Sequence, residues 1–247
     1  MADDRRQVRP KKLKIAVDGP AGAGKSTIAK IIADKLTQQW SVGSQTTTFS
    51  TAQQKLEYID SGALYRAITK IFLDNNFDIN NNDQIRDLLS RITLSLTDGH
   101  ACVNGEDLNG VIRSADVTKN VSFVSSNVDV RNKVNSFLNE YSADKAVIMD
   151  GRDIGTVVFP DADYKFYLDA SIEERAKRRF AEKNNAMTLE EITENIAKRD
   201  ENDKKKKIGA LIIADDAIYI DTTKLAIDDV VQKILTIINN NGEEHGV

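Results

Sequence analysis

Residues 19–26 read Gly-Pro-Ala-Gly-Ala-Gly-Lys-Ser, which matches the pattern G-x-x-x-x-G-K-[ST] in full. The apolar run at residues 13–17 comes directly before this stretch, and apolar residues recur at helical spacing from Ile28 to Leu36 after it. A glycine-rich turn between a strand and a helix directs backbone N–H groups and the positive end of the helix towards a bound phosphate. The stretch therefore predicts a phosphate-binding loop, the P-loop, for a nucleoside triphosphate.

The P-loop residues have distinct predicted roles. Lys25 is expected to bridge the β- and γ-phosphates, and the Ser26 hydroxyl to bind the magnesium ion that accompanies the nucleotide. The residues of the loop that are predicted to bind the triphosphate are Gly19, Pro20, Ala21, Gly22, Ala23, Gly24, Lys25, Ser26 and Thr27.

The remaining pattern is that of an α/β protein. Residues 145–150, 164–169 and 217–221 are further strand candidates, and helical periodicity lies between and after them. Ser171 and Glu174 form a capping-box pattern that predicts a helix start. Strands that alternate with helices indicate a parallel sheet flanked by helices.

One region interrupts this alternation. Asp98-Gly99 and Asn104-Gly105 are strong hairpin signals between short apolar runs, so we expect a three-stranded antiparallel meander there. This places an inserted subdomain at residues 77–118 within a core formed by residues 13–76 and 119–247.

Two further segments stand apart from the core. The charged residues 1–12 are interpreted as a disordered tail. Residues 38–55 are rich in Gln, Ser and Thr, and are interpreted as an elongated surface loop with no assigned function.

The composition argues against several other classes of protein. The chain has 247 residues, with 34 basic and 38 acidic side chains and a formal net charge of −4, whereas a general nucleic-acid-binding protein needs a basic surface. Its apolar runs are shorter than the roughly 18 residues that span a membrane. Cys102 is the single cysteine, which excludes an internal disulfide bond and a cysteine-rich zinc site. We expect a cytoplasmic monomer without nucleic-acid or membrane partners.

Two motifs beyond the P-loop carry a resemblance to a known family. Residues 60–66 read Asp-Ser-Gly-Ala-Leu-Tyr-Arg, and residues 150–160 read Asp-Gly-Arg-Asp-Ile-Gly-Thr-Val-Val-Phe-Pro. Together with the P-loop they closely resemble bacterial cytidylate kinases, over residues 13–238 without the 38–55 loop. The resemblance implies a P-loop NTPase fold whose antiparallel β/α insert is a nucleoside-monophosphate-binding subdomain, with a short lid at about 175–187.

The resemblance also implies an activity and a set of site residues. It implies transfer of the γ-phosphoryl group of ATP to CMP, and to dCMP, with Mg²⁺ as the cofactor. The residues that it implies for catalysis are Lys25, Arg66, Arg152 and Arg199. For CMP binding it implies Ser61, Arg66, Ser122, Arg131, Arg152, Asp153, Arg199, Asp203 and Lys206. Arg175 and Arg178 of the lid are implied to bind ATP.

Some interpretations stay open on the sequence alone. Arg178 is as typical of a solvated surface charge as of a phosphate ligand. Lys206, where the family usually has arginine, either contacts phosphate or belongs to a solvated run of lysines, and Asp150 either supports the magnesium site or caps a helix or turn. The family also usually has a proline where this chain has Ala210.

The reaction has alternatives as well. A P-loop kinase for UMP, AMP or a non-nucleotide acceptor is the nearest one, and a nucleotide-dependent switch is a more distant one. A GTPase needs the pattern Asn-Lys-x-Asp, which residues 132–135 (Asn-Lys-Val-Asn) do not complete.

Overall fold

The computed structural model describes residues 12–41, 55–78, 80–97, 99–182 and 187–244. The predicted tail at 1–12, except its last residue, and most of the predicted 38–55 loop lie outside the described residues. Among the residues that are described, no helix combines the length and the apolarity needed to cross a membrane.

The larger sheet has the predicted parallel arrangement. The described strands are β1 (Lys14–Asp18), β2 (Glu57–Asp60), β3 (Leu94–Thr97), β4 (His100–Val103), β5 (Glu106–Asp107), β6 (Val147–Asp150), β7 (Tyr164–Asp169) and β8 (Ile218–Asp221). Five of them form one sheet in the order β2-β6-β1-β7-β8, and all four neighbouring pairs are parallel. The predicted strand at 164–169 has the observed bounds. The strands predicted at 13–17, 145–150 and 217–221 begin one or two residues later than predicted, and the first also ends one residue later.

Helices cover both faces of this sheet. The described α-helices are α1 (Lys25–Ser41), α2 (Ser61–Asp74), α3 (Asn82–Arg91), α4 (Ala115–Val124), α5 (Val128–Ser142), α6 (Ile172–Glu182), α7 (Leu189–Lys205) and α8 (Ile227–Glu244). Because side chains alternate along a strand, Ile15 and Val17 pack with α1 and α8 on one face. Ala16 packs with α2 and α5 on the other. The predicted α/β class is confirmed.

The inserted region contains α3 and the predicted meander. β3, β4 and β5 form a three-stranded antiparallel sheet. Asn104 and Gly105 both have positive φ, 52° and 82°, which the predicted two-residue turn requires. β3 begins at Leu94, because Ile92 ends α3 as its C-cap residue. The subdomain boundaries at 77 and 118 stay a prediction.

The parallel arrangement gathers polar residues at one edge of the larger sheet. β1, β2 and β6 end at Asp18, Asp60 and Asp150. Asp150 is in register with Val17 on one side and with Asp60 on the other. The carboxyl edge of a parallel sheet is the usual position of a ligand site. The P-loop, the start of α2 and the turn after β6 therefore meet there.

Candidate active site

The P-loop depends on glycine where its backbone packs closely. Gly19 has φ of 144°, and a Cβ at this position would lie 1.9 Å from the Leu168 carbonyl oxygen. Gly22 has φ of 81°, and its missing Cβ would lie 3.1 Å from Cβ of Arg175. Any other residue at position 19 would push the loop away from β7. The loop is therefore held against the sheet edge, and α1 begins directly after it.

Lys25 is buried within the loop that it is predicted to serve. Its Nζ donates to the Pro20 carbonyl oxygen at 2.7 Å. Burial lowers the pKa of Lys25, and the nearby charge of Arg152 lowers it further, whereas Asp150 and Asp18 act in the opposite direction. An anion bound in the loop would offset this cost of burying a charge.

Asp150 supports the P-loop serine. Ser26 Oγ donates to Asp150 Oδ2 at 2.8 Å, and the Tyr58 hydroxyl donates to Oδ1 at 2.7 Å. The backbone carbonyl of Asp150 accepts from Ser61 Oγ at 2.8 Å. Of the two roles that the sequence left open, these contacts favour the one beside Ser26 over a helix or turn cap.

These oxygen groups fit a magnesium ion that is bound mainly by a nucleotide. The Ser26 hydroxyl donates its hydrogen bond to Asp150, so its lone pairs are available to a cation. In the described part of the chain, no cluster of three or more His, Cys, Asp or Glu residues could hold a metal ion. Mg²⁺ typically keeps several water ligands and is bound through substrate phosphates and one or two protein oxygens.

Three predicted acceptor arginines lie close together at the same edge. Burial lowers the pKa of Arg199 to about 10, and the neighbouring charges of Arg152 and Arg66 contribute to this shift. Burial likewise lowers the pKa of Arg66 to about 10, with contributions from Arg113 and Arg152 among others. Arg66, Arg152 and Arg199, hereafter the acceptor cluster, thus repel one another. A bound dianion would remove this repulsion.

Neighbouring groups hold two members of the acceptor cluster. Arg66 donates to Thr118 Oγ1 at 3.0 Å. Arg152 donates through Nε to Asp203 Oδ2 at 3.1 Å. Burial opposes ionisation of Asp203, yet the charges of Arg152 and Lys206 lower its pKa. Asp203 therefore orients an arginine beside the predicted phosphate site.

Arg131 and Asp153 form a buried ion pair next to the acceptor cluster. Arg131 donates to Asp153 Oδ2 and, through its other terminal nitrogen, to the Ser125 carbonyl oxygen at 3.3 Å. The Arg131 Nε is buried without a hydrogen-bond partner. Burial raises the pKa of Asp153, although Arg131 acts against this shift. The predicted Ser122 lies half-buried on α4, one turn before Ser125.

Lys206 is not a solvated lysine. Its Nζ lies 2.9 Å from Asp203 Oδ1 and 3.1 Å from Ser125 Oγ, and its side chain is 10% exposed, compared with 72% for Lys205. The alternative of a solvated run is therefore wrong for this position. Contact between Lys206 and a phosphate stays a prediction.

The two predicted lid arginines already have protein partners. Arg175 is buried, donates to the carbonyl oxygens of Ala170 and Ala21, and pairs with Asp200 at 2.7 Å. Arg178 donates to the Thr222 hydroxyl and carbonyl oxygens. Arg175 thus holds α6 against the P-loop. A role of either arginine in binding ATP stays a prediction.

Comparisons with known proteins agree with this geometry. The family model for cytidylate kinase matches residues 15–46 and 41–240. The chain is 40% identical over 236 residues to the cytidylate kinase of Bacillus cereus (strain ATCC 10987 / NRS 248), which covers 93% of this chain and 97% of the relative. The cytidylate kinase of Bacillus thuringiensis (strain Al Hakam) matches at 40% identity over the same shares. The chain belongs to the cytidylate kinase family.

The chain is therefore a kinase with a P-loop NTPase fold, as the motifs predicted. Among solved structures, a shikimate kinase from Acinetobacter baumannii in complex with shikimate has a TM-score of 0.47 at 19% identity, over 94% of this chain and 96% of that one. A similarity at this level supports no conclusion about the site.

Three residues of this cytidylate kinase family member were missed by the sequence analysis. Arg113 pairs with Asp60 at 2.8 Å and contributes to the lowered pKa of Arg66, but no motif surrounds it. Asp18 accepts from the backbone N–H groups of Ile154 and Gly155. Its position directly before Gly19 was a usable signal. Tyr58, the third, was identified only through its contact with Asp150.

Proposed function

We propose that this enzyme transfers the γ-phosphoryl group of ATP to CMP, and to dCMP, with Mg²⁺ as the cofactor. The observation that carries the proposal is the convergence of Lys25 with the acceptor cluster. Arg152 and Arg199 both act to lower the pKa of Lys25, although the four side chains come from separate elements of the fold. Burial and neighbouring positive charges, that of Arg152 among them, lower the pKa values of Lys25, Arg66 and Arg199. Such a group of cations favours binding of a highly charged anion, such as two phosphate groups that face one another.

The proposed chemistry requires positioning and charge stabilisation. An oxygen of the acceptor phosphate attacks the γ-phosphorus in line, and the β-phosphate oxygen leaves with ADP. The acceptor is already an anion, so the proposal includes no general base and no covalent intermediate. Mg²⁺, when bound with ATP, offsets negative charge on the β- and γ-phosphates. Lys25 and the P-loop amides bind the donor phosphates, and the acceptor cluster orients the attacking group.

The proposed choice of base rests on the buried pair of Arg131 and Asp153. Asp153 can accept from the exocyclic amine of cytosine, and Arg131 can donate to the ring carbonyl and nitrogen. Uracil reverses part of this donor pattern. An unpaired buried polar group costs roughly 1–3 kcal/mol, so CMP is the expected acceptor over UMP.

The resemblance to cytidylate kinases also supports the remaining assignments. Ser61 and Ser122 are proposed to contact CMP, and Asp203 its ribose. Asp203 suits either sugar, which is why dCMP is included. Closure of the proposed lid at 175–187 would exclude water and prevent simple hydrolysis of ATP. We also propose a cytoplasmic monomer.

An acceptor panel tests this proposal. ADP release is measured with ATP and CMP, dCMP, UMP or AMP, each with Mg²⁺ and again with EDTA. We expect rapid turnover of CMP and dCMP and slower turnover of UMP. All turnover should be lost in EDTA. Turnover that favours AMP or UMP would contradict the proposed base recognition. ATP hydrolysis without transfer to any monophosphate would support a nucleotide-dependent switch instead.

A further inference from the structure

Both carboxylate oxygens of Asp150 have a side-chain hydroxyl as partner. Ser26 Oγ donates to Oδ2 at 2.8 Å, and the Tyr58 hydroxyl donates to Oδ1 at 2.7 Å. A carboxylate with one donor on each oxygen is restricted in its rotation about χ2. The orientation of the Ser26 hydroxyl consequently depends on a residue that is not part of the P-loop.

The register of the sheet brings Tyr58 to this position. On β2, Tyr58 pairs with Ile148 and Asp60 pairs with Asp150 on β6. The Tyr58 ring packs with the α1 side of the sheet, the side from which Ser26 reaches Asp150. A tyrosine is long enough to extend along the strand to a carboxylate two positions further, and its phenol is protonated at neutral pH.

We propose that Tyr58 is a positioning residue that holds the Asp150 carboxylate in the orientation in which the Ser26 hydroxyl directs its lone pairs at the bound magnesium ion. Without the phenol hydroxyl, Asp150 can rotate away from Ser26. The serine proton is then free to point at the cation, which weakens Mg²⁺ binding. Partners of this kind typically change metal affinity or activity by about 10- to 100-fold.

The surroundings of Tyr58 allow this function to be separated from packing. The ring of Tyr58 lines a cavity of about 440 Å³ together with Lys30, Glu57 and Tyr141 among others, and the Lys30 ammonium lies 5.2 Å from the ring centre. Tyr58→Phe keeps the ring and these contacts, and removes the hydroxyl alone. Tyr141 is a matched control, because its hydroxyl also donates to a carboxylate, that of Glu57 at 2.7 Å.

The decisive experiment measures binding rather than turnover. The affinity for ADP is determined by calorimetry with excess Mg²⁺ and with EDTA, for the wild-type protein, Tyr58→Phe and Tyr141→Phe. We expect the factor by which Mg²⁺ strengthens ADP binding to be about 10-fold smaller in Tyr58→Phe than in the wild type. The ADP affinity measured in EDTA should be unchanged. Tyr141→Phe should match the wild type in both conditions. A Tyr58→Phe protein with the full wild-type gain from Mg²⁺ would overturn the proposal.

Steady-state kinetics provide a second readout. In Tyr58→Phe the Mg²⁺ concentration for half-maximal turnover should rise by about 10-fold, while KM for CMP is unchanged. Equal losses of ADP affinity with and without Mg²⁺ would indicate a structural role and would also overturn the proposal. In a Ser26→Ala background, Tyr58→Phe should have no further effect on the gain from Mg²⁺, because both residues act through one hydrogen-bond chain.

The inference rests on the proposed use of Mg²⁺, but the two can fail separately. If Mg²⁺ does not change the ADP affinity of the wild-type protein, the role of Tyr58 fails, whereas the proposed cofactor fails only if turnover also persists in EDTA. If Mg²⁺ strengthens ADP binding equally in the wild type and in Tyr58→Phe, only the role of Tyr58 fails.

Discussion

The P-loop and the acceptor cluster are proposed to bind anions in opposite ways. The P-loop is contiguous, at residues 19–27, and provides mainly backbone N–H groups and the start of α1. The acceptor cluster combines Arg66 from α2, Arg152 from the turn after β6 and Arg199 from α7. One site is formed by local backbone conformation, and the other by side chains that only the tertiary structure brings together.

The difference is also electrostatic. Lys25 has a carbonyl partner in its own loop and two nearby carboxylates. In the acceptor cluster, Arg66 and Arg199 have pKa values lowered by burial and by other arginines. Arg152 and Arg199 also act to lower the pKa of Lys25, so the repulsion that a bound phosphate would relieve extends from the cluster to the P-loop.

Removing one cation from each region should give the largest effects and should distinguish the function of the P-loop from that of the acceptor cluster. Lys25→Ala and Arg152→Ala are each expected to lower kcat/KM by about 10³-fold, because each removes charge stabilisation from the transferred group. Calorimetry should show that Lys25→Ala weakens ATP binding, whereas Arg152→Ala keeps ATP affinity and loses CMP affinity. Arg86→Ala, at an exposed arginine on α3, is the control and should retain full activity. Substantial turnover in Lys25→Ala or in Arg152→Ala would contradict the assigned roles.

The pH dependence of the free energy of unfolding should test Asp18, which connects the end of β1 to the turn that contains Arg152. Asp18, at the end of β1, accepts from the backbone that follows Arg152 and Asp153. Burial raises the pKa of Asp18 from 3.8 to about 6. Because the pKa of Asp18 is higher in the folded state than in the unfolded chain, Asp18 stabilises the fold at pH values below its unfolded-state pKa. This stabilisation is lost as the pH rises through the folded-state pKa. About two pKa units correspond to roughly 3 kcal/mol.

The measurement is the free energy of unfolding by urea between pH 4 and pH 7. The wild-type protein should lose up to roughly 3 kcal/mol relative to Asp18→Asn across this range. For Asp87→Asn, at an exposed position on α3, the free energy of unfolding should depend on pH as in the wild type. Parallel curves for the wild type and Asp18→Asn would contradict the raised pKa.

The smallest expected effect concerns Lys206 beside the acceptor cluster. Lys206→Arg should lower the apparent KM for CMP by about 5-fold, equal to roughly 1 kcal/mol, because guanidinium can bind a phosphate through two hydrogen bonds. Lys205→Arg, at an exposed lysine of the same run, is the matched control and should leave KM unchanged. An unchanged KM in Lys206→Arg would place Lys206 in support of Asp203 rather than in contact with the phosphate.

The sequence predicted best where chemistry and conformation are local. The P-loop, the hairpin turn at Asn104-Gly105 and the helix start at Ser171 depend on residues within a few positions. At Ser171 only half of the predicted capping box forms: Glu174 N–H donates to Ser171 Oγ, while the Glu174 carboxylate accepts from Arg178. That carboxylate has a competing arginine one turn further along the helix, which the pattern did not take into account.

Residues without a motif were not predictable in this way. Arg113 and Tyr58 reach the site through the pairing of distant elements, Arg113 to Asp60 and Tyr58 to Asp150. A single arginine or tyrosine in an otherwise ordinary segment carries no local signal of such a contact. The family resemblance implied the residues of the acceptor cluster, but only the structure shows where their side chains lie.

By itself, the sequence determined the fold class, the position of the P-loop and the family, because each depends on short-range spacing or on contiguous motifs. Only the tertiary structure decided that Lys206 is shielded from solvent, that Arg175 is engaged by Ala21 and Asp200, and that Asp150 joins Ser26 to Tyr58. These outcomes depend on the register between parallel strands and on the burial of charge. Both arise from contacts between residues far apart in the chain.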